Sequence, residues 1–292
     1  MRAPLVLAAL TLVFAACDAH HPASSTAAAT AADYDVFADA VVTDGVVVTT
    51  QGFPDPAGAL GAFQVLDPAK APPVTGIGVG GFVVLDLGAG EGVVDGPGPD
   101  LLVVESDGTV LAAGFGFAEP GEVAVSDMPG GPFVSLGEVN GTGLFDLAGS
   151  GLRSARYVRV TDTGGAPPSG FDLNGVAAVN AEGAGFRLTP STLTRGSRRP
   201  TVTGHVSAPA GFRLAAAEIV LATTVDEPAP PGPRPVFTTL AIEGDLRGNG
   251  GTVKFPADEV LAAAPDGEVV VGVRLTSTMG DELILFDTVD VR

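Results

Sequence analysis

The run Leu152-Arg-Ser-Ala-Arg-Tyr-Val-Arg-Val-Thr-Asp162 decides the fold class. From Arg156 to Val160 polar and apolar side chains alternate, so one face belongs to a core and the other to solvent, as in a β-strand. Similar short runs recur on both sides of it. Val41–Thr50, Gly81–Leu87, Asp100–Glu105, Glu122–Ser126, Ala155–Thr161 and Phe171–Val179 are rich in Val, Phe and Thr. Turn signals separate them: Asp44-Gly45, Asp107-Gly108, Pro129-Gly130-Gly131 and Asn140-Gly141. Short strands at regular spacing with such turns predict a sandwich or barrel. Outside the N-terminal segment no window of 12 residues carries a clean helical stripe. The best short helix is Ala257–Ala264.

Charge divides the chain. Residues 33–180 hold 19 acidic and 4 basic side chains, net −15, whereas residues 181–292 hold 14 and 10, net −4. The shift coincides with the small-residue turn Asn180-Ala181-Glu182-Gly183-Ala184-Gly185, which predicts a boundary between domains at 33–181 and 186–292. The acidity therefore belongs to the first domain and is not a uniform solubility coat. A formal charge of −19 over 292 residues excludes nucleic acid as a partner, because a phosphate backbone is read by stripes of Lys and Arg. Within the second domain, the segment from Asp226 to Pro235 predicts a stiff, extended Pro-rich loop.

The N-terminal segment reads as targeting. A basic start at Arg2 precedes the apolar residues 3–16, too short for the roughly 20-residue span of a membrane helix and suited to a signal peptide. The run Phe14-Ala15-Ala16-Cys17 resembles a bacterial lipobox, with Phe14 where the pattern prefers Leu. Cys17 is the single cysteine, which rules out a disulfide within the chain. The expected arrangement is a signal peptide over 1–16, lipidation of Cys17, a flexible linker over 17–32, and a protein tethered to a membrane of the cell envelope, facing the periplasm or exterior.

Three ordered elements carry a resemblance: Val93-Val-Asp-Gly-Pro-Gly-Pro-Asp-Leu-Leu-Val-Val-Glu105, then Ala118-Glu-Pro-Gly-Glu-Val-Ala-Val-Ser-Asp127, then Leu152–Asp162 followed by Gly170-Phe-Asp-Leu-Asn174. In this order they resemble a domain of bacterial cell-surface proteins and lipoproteins similar to the galactose-binding, discoidin-like jelly rolls. Asn174 stands where that pattern has Asp, and the loop from Met128 to Gly143 is shorter than usual. The second domain resembles an immunoglobulin-like module through Phe186–Leu193, Arg198–Pro209, Ala210–Leu214, Thr252–Val260 and Gly267–Leu275. The implied architecture is all-β: a jelly-roll-like sandwich that binds through loops at its end, followed by an immunoglobulin-like sandwich without catalytic residues.

The chemistry-bearing residues point to a cation rather than to catalysis. Asp95 and Asp100 flank a Gly-Pro-Gly-Pro turn, and proline leaves carbonyls without competing donors, which suits calcium. Glu105, Asp172 and Asn174 are further oxygen ligands that the jelly-roll resemblance would bring near them. The other reading is that Asp95 and Asp100 cap the turn through backbone amides. His205, on the alternating strand Val202–Val206, is expected to face solvent. The turn Gly76–Gly81 lacks the Lys-Ser/Thr and helix of a phosphate loop. The expectation is a non-catalytic surface protein that binds a glycan or an envelope component. A structural or assembly protein of the envelope is the alternative, and a hydrolase a weaker one. With 15 Phe, 2 Tyr and no Trp, polar-tipped stacking platforms for sugars are scarce, which counts against the glycan.

Overall fold

A computed structural model describes residues 34–42, 55–63, 75–105, 119–164, 170–196, 201–225, 234–241, 243–263 and 267–292. The expected signal peptide, Cys17 and linker lie outside the described residues, as do residues 43–50 of the first predicted strand and residues 226–233 of the Pro-rich loop.

The chain up to residue 180 forms eleven strands among the described residues. They are β1 (Ala40–Val41), β2 (Thr75–Gly76), β3 (Phe82–Asp86), β4 (Val93–Val94), β5 (Leu101–Glu105), β6 (Pro120–Ser126), β7 (Val134–Asn140), β8 (Gly143–Phe145), β9 (Ser154–Ala155), β10 (Tyr157–Asp162) and β11 (Asp172–Ala178). One sheet has the order β1-β3-β10-β6-β7 and the other β2-β11-β5-β8, with β4 and β9 as a separate short ribbon. Among the described residues every strand pairing in this half is antiparallel, and the chain crosses repeatedly between the sheets, so the sandwich is jelly-roll-like. The alternation in the opening run is realised in β10. Val158 and Val160 are fully buried, while Arg159 and Thr161 on the opposite face are half-buried.

β5 behaves differently, because all five of its residues, Leu101 to Glu105, are buried. A continuous apolar run implies cover on both faces. The inner cover is the facing sheet. On the outer side of its sheet a short 3-10 turn, Pro56–Ala59, and Phe63 pack against β11. Gly175 makes this possible: a Cβ there would sit 3.2 Å from the Phe63 ring.

The second half continues with β12 (Gly185–Thr189), β13 (Thr192–Leu193), β14 (Thr201–Ser207), β15 (Leu214–Val225), β16 (Arg234–Ala241), β17 (Glu243–Arg247), β18 (Gly250–Pro256), α1 (Ala257–Ala263), β19 (Gly267–Ser277) and β20 (Glu282–Val291). Two sheets result, β12-β14-β18-β17 and β13-β20-β19-β15-β16. Among the described residues only the two-residue β13 runs parallel to its neighbour, β20, and the other pairings in this half are antiparallel. The predicted helix is present as α1, which buries Ala257 and Val260 with Leu261 half-buried, an i, i+3, i+4 stripe. His205 is exposed, as expected from the alternation of β14.

Gly204 lies on β14 between Leu188 of β12 and Val253 of β18. A Cβ there would come within 2.5 Å of the Phe186 ring and 2.8 Å of a Val253 methyl. Gly204→Ala is therefore expected to cost about 1–3 kcal/mol through overpacking. A urea-unfolding midpoint unchanged from wild type would show that Phe186 moves aside without cost.

The turn at 180–185 joins the halves, with β11 ending at Ala178 and β12 starting at Gly185. It does not separate them. Phe286 of β20 stands 6.0 Å from Phe37 and 6.2 Å from Phe63, which are themselves 5.0 Å apart and edge-on. All three rings are buried, so one hydrophobic core continues across the junction. Among the described residues no helix is long and apolar enough to cross a membrane.

Candidate functional site

β4 carries a carboxylate cluster at each end. Past its C-terminal end, the Gly-Pro-Gly-Pro turn returns the chain from Asp95 to Asp100 and into β5. Carboxylate oxygens of Asp95, Asp100 and Asp146 lie within 4.8 Å of one another. Asp95 and Asp146 are exposed, and Asp100 is buried. Asp100 accepts from Gly96 N at 2.8 Å, Leu147 N at 2.7 Å and Asn180 Nδ2 at 2.5 Å. Burial raises its pKa, and these three donors act in the opposite direction. Asp100 thus ties the turn, the β8–β9 connection and the end of the first sandwich together. The network extends into the second sandwich: Arg187 donates to Asn180 Oδ1 and, at 3.1 Å, to Asp287, whose other oxygen accepts from Leu188 N at 2.6 Å.

The remaining residues of the expected metal set lie elsewhere. Glu105 is at the other end of β5 from Asp100, about 16 Å away at the rise of a strand. Asp172 pairs in register with Gly76, and Asn174 sits at the β11 bulge beside Leu173, the register partner of Glu105. The structure therefore brings Asp95 and Asp100 together but places Glu105, Asp172 and Asn174 at the far end. The residues that do join Asp100, namely Asp146 and Asn180, come from the β8–β9 connection and from the turn after β11. No spacing rule singles them out.

The second cluster precedes β4. Asp35, Asp39 and Glu91 also place carboxylate oxygens within 4.8 Å of one another. Pairing of β1 with β3 sets Asp39 beside the end of β3, with Asp39 N donating to Asp86 O at 2.9 Å. Asp35 Oδ1 accepts from Phe37 N at 2.7 Å. Burial, reinforced by Asp39 and Asp35, pushes the Glu91 carboxyl up to about 8. Burial, with Asp39 adding to it, likewise lifts Asp35 to about 6. Next to the cluster the Tyr34 hydroxyl donates to the Glu182 carbonyl, and burial followed by the Glu91 charge raises its pKa.

A third feature lies on the outer face of the five-stranded sheet. Arg156 forms a two-pronged ion pair with Asp86 at 2.5 and 2.8 Å and lies 5.3 Å from the Tyr157 ring centre. Arg159 stacks 4.9 Å over Phe133. Phe133 ends the β6–β7 loop, whose Met128 is 55% exposed. Ser126 Oγ accepts from Met128 N, and Met128 O accepts from Gly131 N, so the loop is a built turn.

These features define an all-β protein of two antiparallel sandwiches, the first jelly-roll-like, with acidic clusters near their junction. No family model matches the chain, and no curated protein matches it. Among solved structures, the sporulation control protein Spo0M from Bacillus subtilis is 16% identical over 37% of this chain and 48% of its own, with a TM-score of 0.24. An allantoicase is 9% identical over 74% and 86%, with a TM-score of 0.32. A β-1,2-glucanase from Parabacteroides distasonis is 11% identical over 72% and 30%, with a TM-score of 0.23. All three scores lie below 0.5, so nothing about fold or function passes from these proteins to this one.

Proposed function

We propose that the protein is a non-catalytic binding module of the bacterial cell envelope, held to a membrane by lipid on Cys17. It would present its first sandwich to a glycan. The first sandwich is read as a galactose-binding-like jelly roll. The second is read as an immunoglobulin-like module, a reading supported by its strand orders. β12-β14-β18-β17 corresponds to A-B-E-D, and β20-β19-β15-β16 to G-F-C-C′.

The observation that carries the binding role is the loop that ends at Phe133, backed by Arg159. Residues 33–180 hold four basic side chains, of which Arg156 is paired to Asp86. Arg159 instead lies on an aromatic ring, at the foot of an exposed apolar loop. A guanidinium fixed on a ring offers a planar fork of donors to the hydroxyls or carboxylate of a sugar. The ring and Met128 offer apolar surface to its carbon face.

The test is calorimetry of the full chain with glycans selected on an array. Arg159→Ala and Phe133→Ala are expected to weaken binding at least about tenfold, corresponding to one lost charge-assisted contact. Wild-type affinity in both variants would remove this face from the binding role. An array without a single glycan ligand would remove the glycan itself. Palmitate labelling that survives Cys17→Ala would remove the anchor.

A further inference from the structure

We propose that the ligand read by Arg159 is an acidic glycan, one that presents a single sugar carboxylate to the guanidinium between neutral sugars. This rests on the binding face proposed above and names the chemistry that the face selects.

The positive charge of an acidic domain is concentrated at this place. Residues 33–180 carry a net −15, and three of their four basic side chains, Arg153, Arg156 and Arg159, stand between positions 153 and 159. Arg156 shows what such a fork takes when a partner is within reach. Its Nε and Nη2 donate to the two oxygens of Asp86 at 2.5 and 2.8 Å. Arg159 makes no hydrogen bond or ion pair among the described residues, and its guanidinium lies 4.9 Å from the Phe133 ring centre instead.

The register explains why no carboxylate of the sheet takes that role. Arg159 stands beside Val84 of β3, and its row continues across the sheet with Ala124 of β6 and the exposed Ser135 of β7. None of these carries a charge. The neighbouring row, Thr161, Glu122 and Glu138, carries two. It lies about 7 Å away, at two residues of strand rise. Phe133 is on the opposite side of the Arg159 row, so the ring holds the guanidinium away from both glutamates.

The orientation of the fork then decides the ligand. Arg159 Nε is buried without an acceptor, so that edge is closed. The half-buried side chain meets solvent through its two terminal nitrogens. Their parallel N–H groups match the two oxygens of one carboxylate, and each bond to an anion is about twice as strong as one to a neutral hydroxyl. A guanidinium with Nε buried and unpaired also carries a charge that is partly desolvated. An anion compensates that loss where a hydroxyl does not.

The surroundings set the upper limit. Glu122 and Glu138 lie on one side of the fork, and the exposed Asp127, at the start of the Met128 loop, on the other. A second carboxylate next to the first would meet one of them. The fork attracts one acid group and its flanks repel more, so selectivity comes from repulsion as well as attraction.

The probes are the glycans of the array that carry one glucuronic or sialic acid, the methyl esters of the same glycans, their neutral parents, and oligogalacturonate. Calorimetry of the full chain is expected to show an acid form bound at least about tenfold more tightly than its ester or parent. The gap should narrow as salt rises. Esterification removes the charge from the ligand, so this result does not depend on the folding of any variant. Arg159→Gln should bind acid and ester alike. Glu138→Gln, at an exposed position, should strengthen oligogalacturonate binding about twofold to fivefold. Retention of neutral glycans only, equal affinity for acid and ester, or a gap kept in Arg159→Gln overturns the acidic ligand and leaves the glycan-binding role standing. Oligogalacturonate bound more tightly than every single-acid glycan overturns the limit of one carboxylate. An array that retains no glycan at all removes the binding role beneath this proposal.

Discussion

Asp100→Ala is expected to destabilise the protein by about 3–5 kcal/mol. The loss would appear as a lower urea midpoint with the slope retained. The substitution removes the acceptor of three hydrogen bonds, from Gly96 N, Leu147 N and Asn180 Nδ2, the last two of them buried. Each orphaned buried donor costs about 1–3 kcal/mol, and a charged acceptor lies at the upper end of what a hydrogen bond contributes. The freed Asn180 would also lose its fixed position beneath Arg187, so the effect should extend into the second sandwich. Asp95→Ala, at the exposed end of the same turn, should change stability by less than about 0.5 kcal/mol. A loss below 1 kcal/mol for Asp100→Ala would mean that the turn holds its shape without its carboxylate.

The second large effect concerns pH. In chelator, stability should fall as pH rises from about 4 to about 8. Glu91 moves from 4.5 to about 8 on folding, and Asp35 from 3.8 to about 6. Within that window the folded protein keeps protons that the unfolded chain has released. Stability therefore declines with rising pH, and the decline ends above the folded value of Glu91. The Glu91 contribution amounts to up to about 5 kcal/mol, at 1.36 kcal/mol per unit. Asp39 and Glu182 face the same region with negative charge, and Arg156 with positive charge. Melting curves across the pH range in EDTA should show the decline, and Glu91→Gln should flatten most of it. A flat wild-type profile would place water or a permanent counter-charge at Glu91.

The strands were legible where one period governs the chain. β10 could be read from the alternation around Val158 and Val160, and β5 from the uninterrupted Leu-Leu-Val-Val. The short helix was legible as the segment Ala257–Ala264, and the structure adds the buried stripe of Ala257, Val260 and Leu261. The run of small residues at 180–185 and the change of charge there were legible. The packing across that junction was not. Phe37, Phe63 and Phe286 come from three distant segments, and nothing local distinguishes them from other core phenylalanines. The acidic clusters divide in the same way. The turn between Asp95 and Asp100 is a local motif, and the sequence pairs them without the fold. Asp35, Asp39 and Glu91 meet only because β1 pairs with β3, a long-range choice that no spacing records. The expectation that Glu105 joins Asp100 neglected the length of β5, which holds the two carboxylates at opposite ends.

The parallel pairing of β13 with β20 has a mechanical consequence. Three backbone bonds connect the first residues of the second sandwich to its last: Asp290 N to Ser191 O, Arg292 N to Leu193 O, and Arg195 N to Arg292 O, at 2.7–2.9 Å. The two strands point the same way, so tension applied through the ends of this half pulls them along their axes in opposite directions. All three bonds then resist together in shear, rather than parting one after another as in an antiparallel hairpin peeled from its end. Force that enters at one end of this half and leaves at the other would find the second sandwich closed until that clamp yields as a unit.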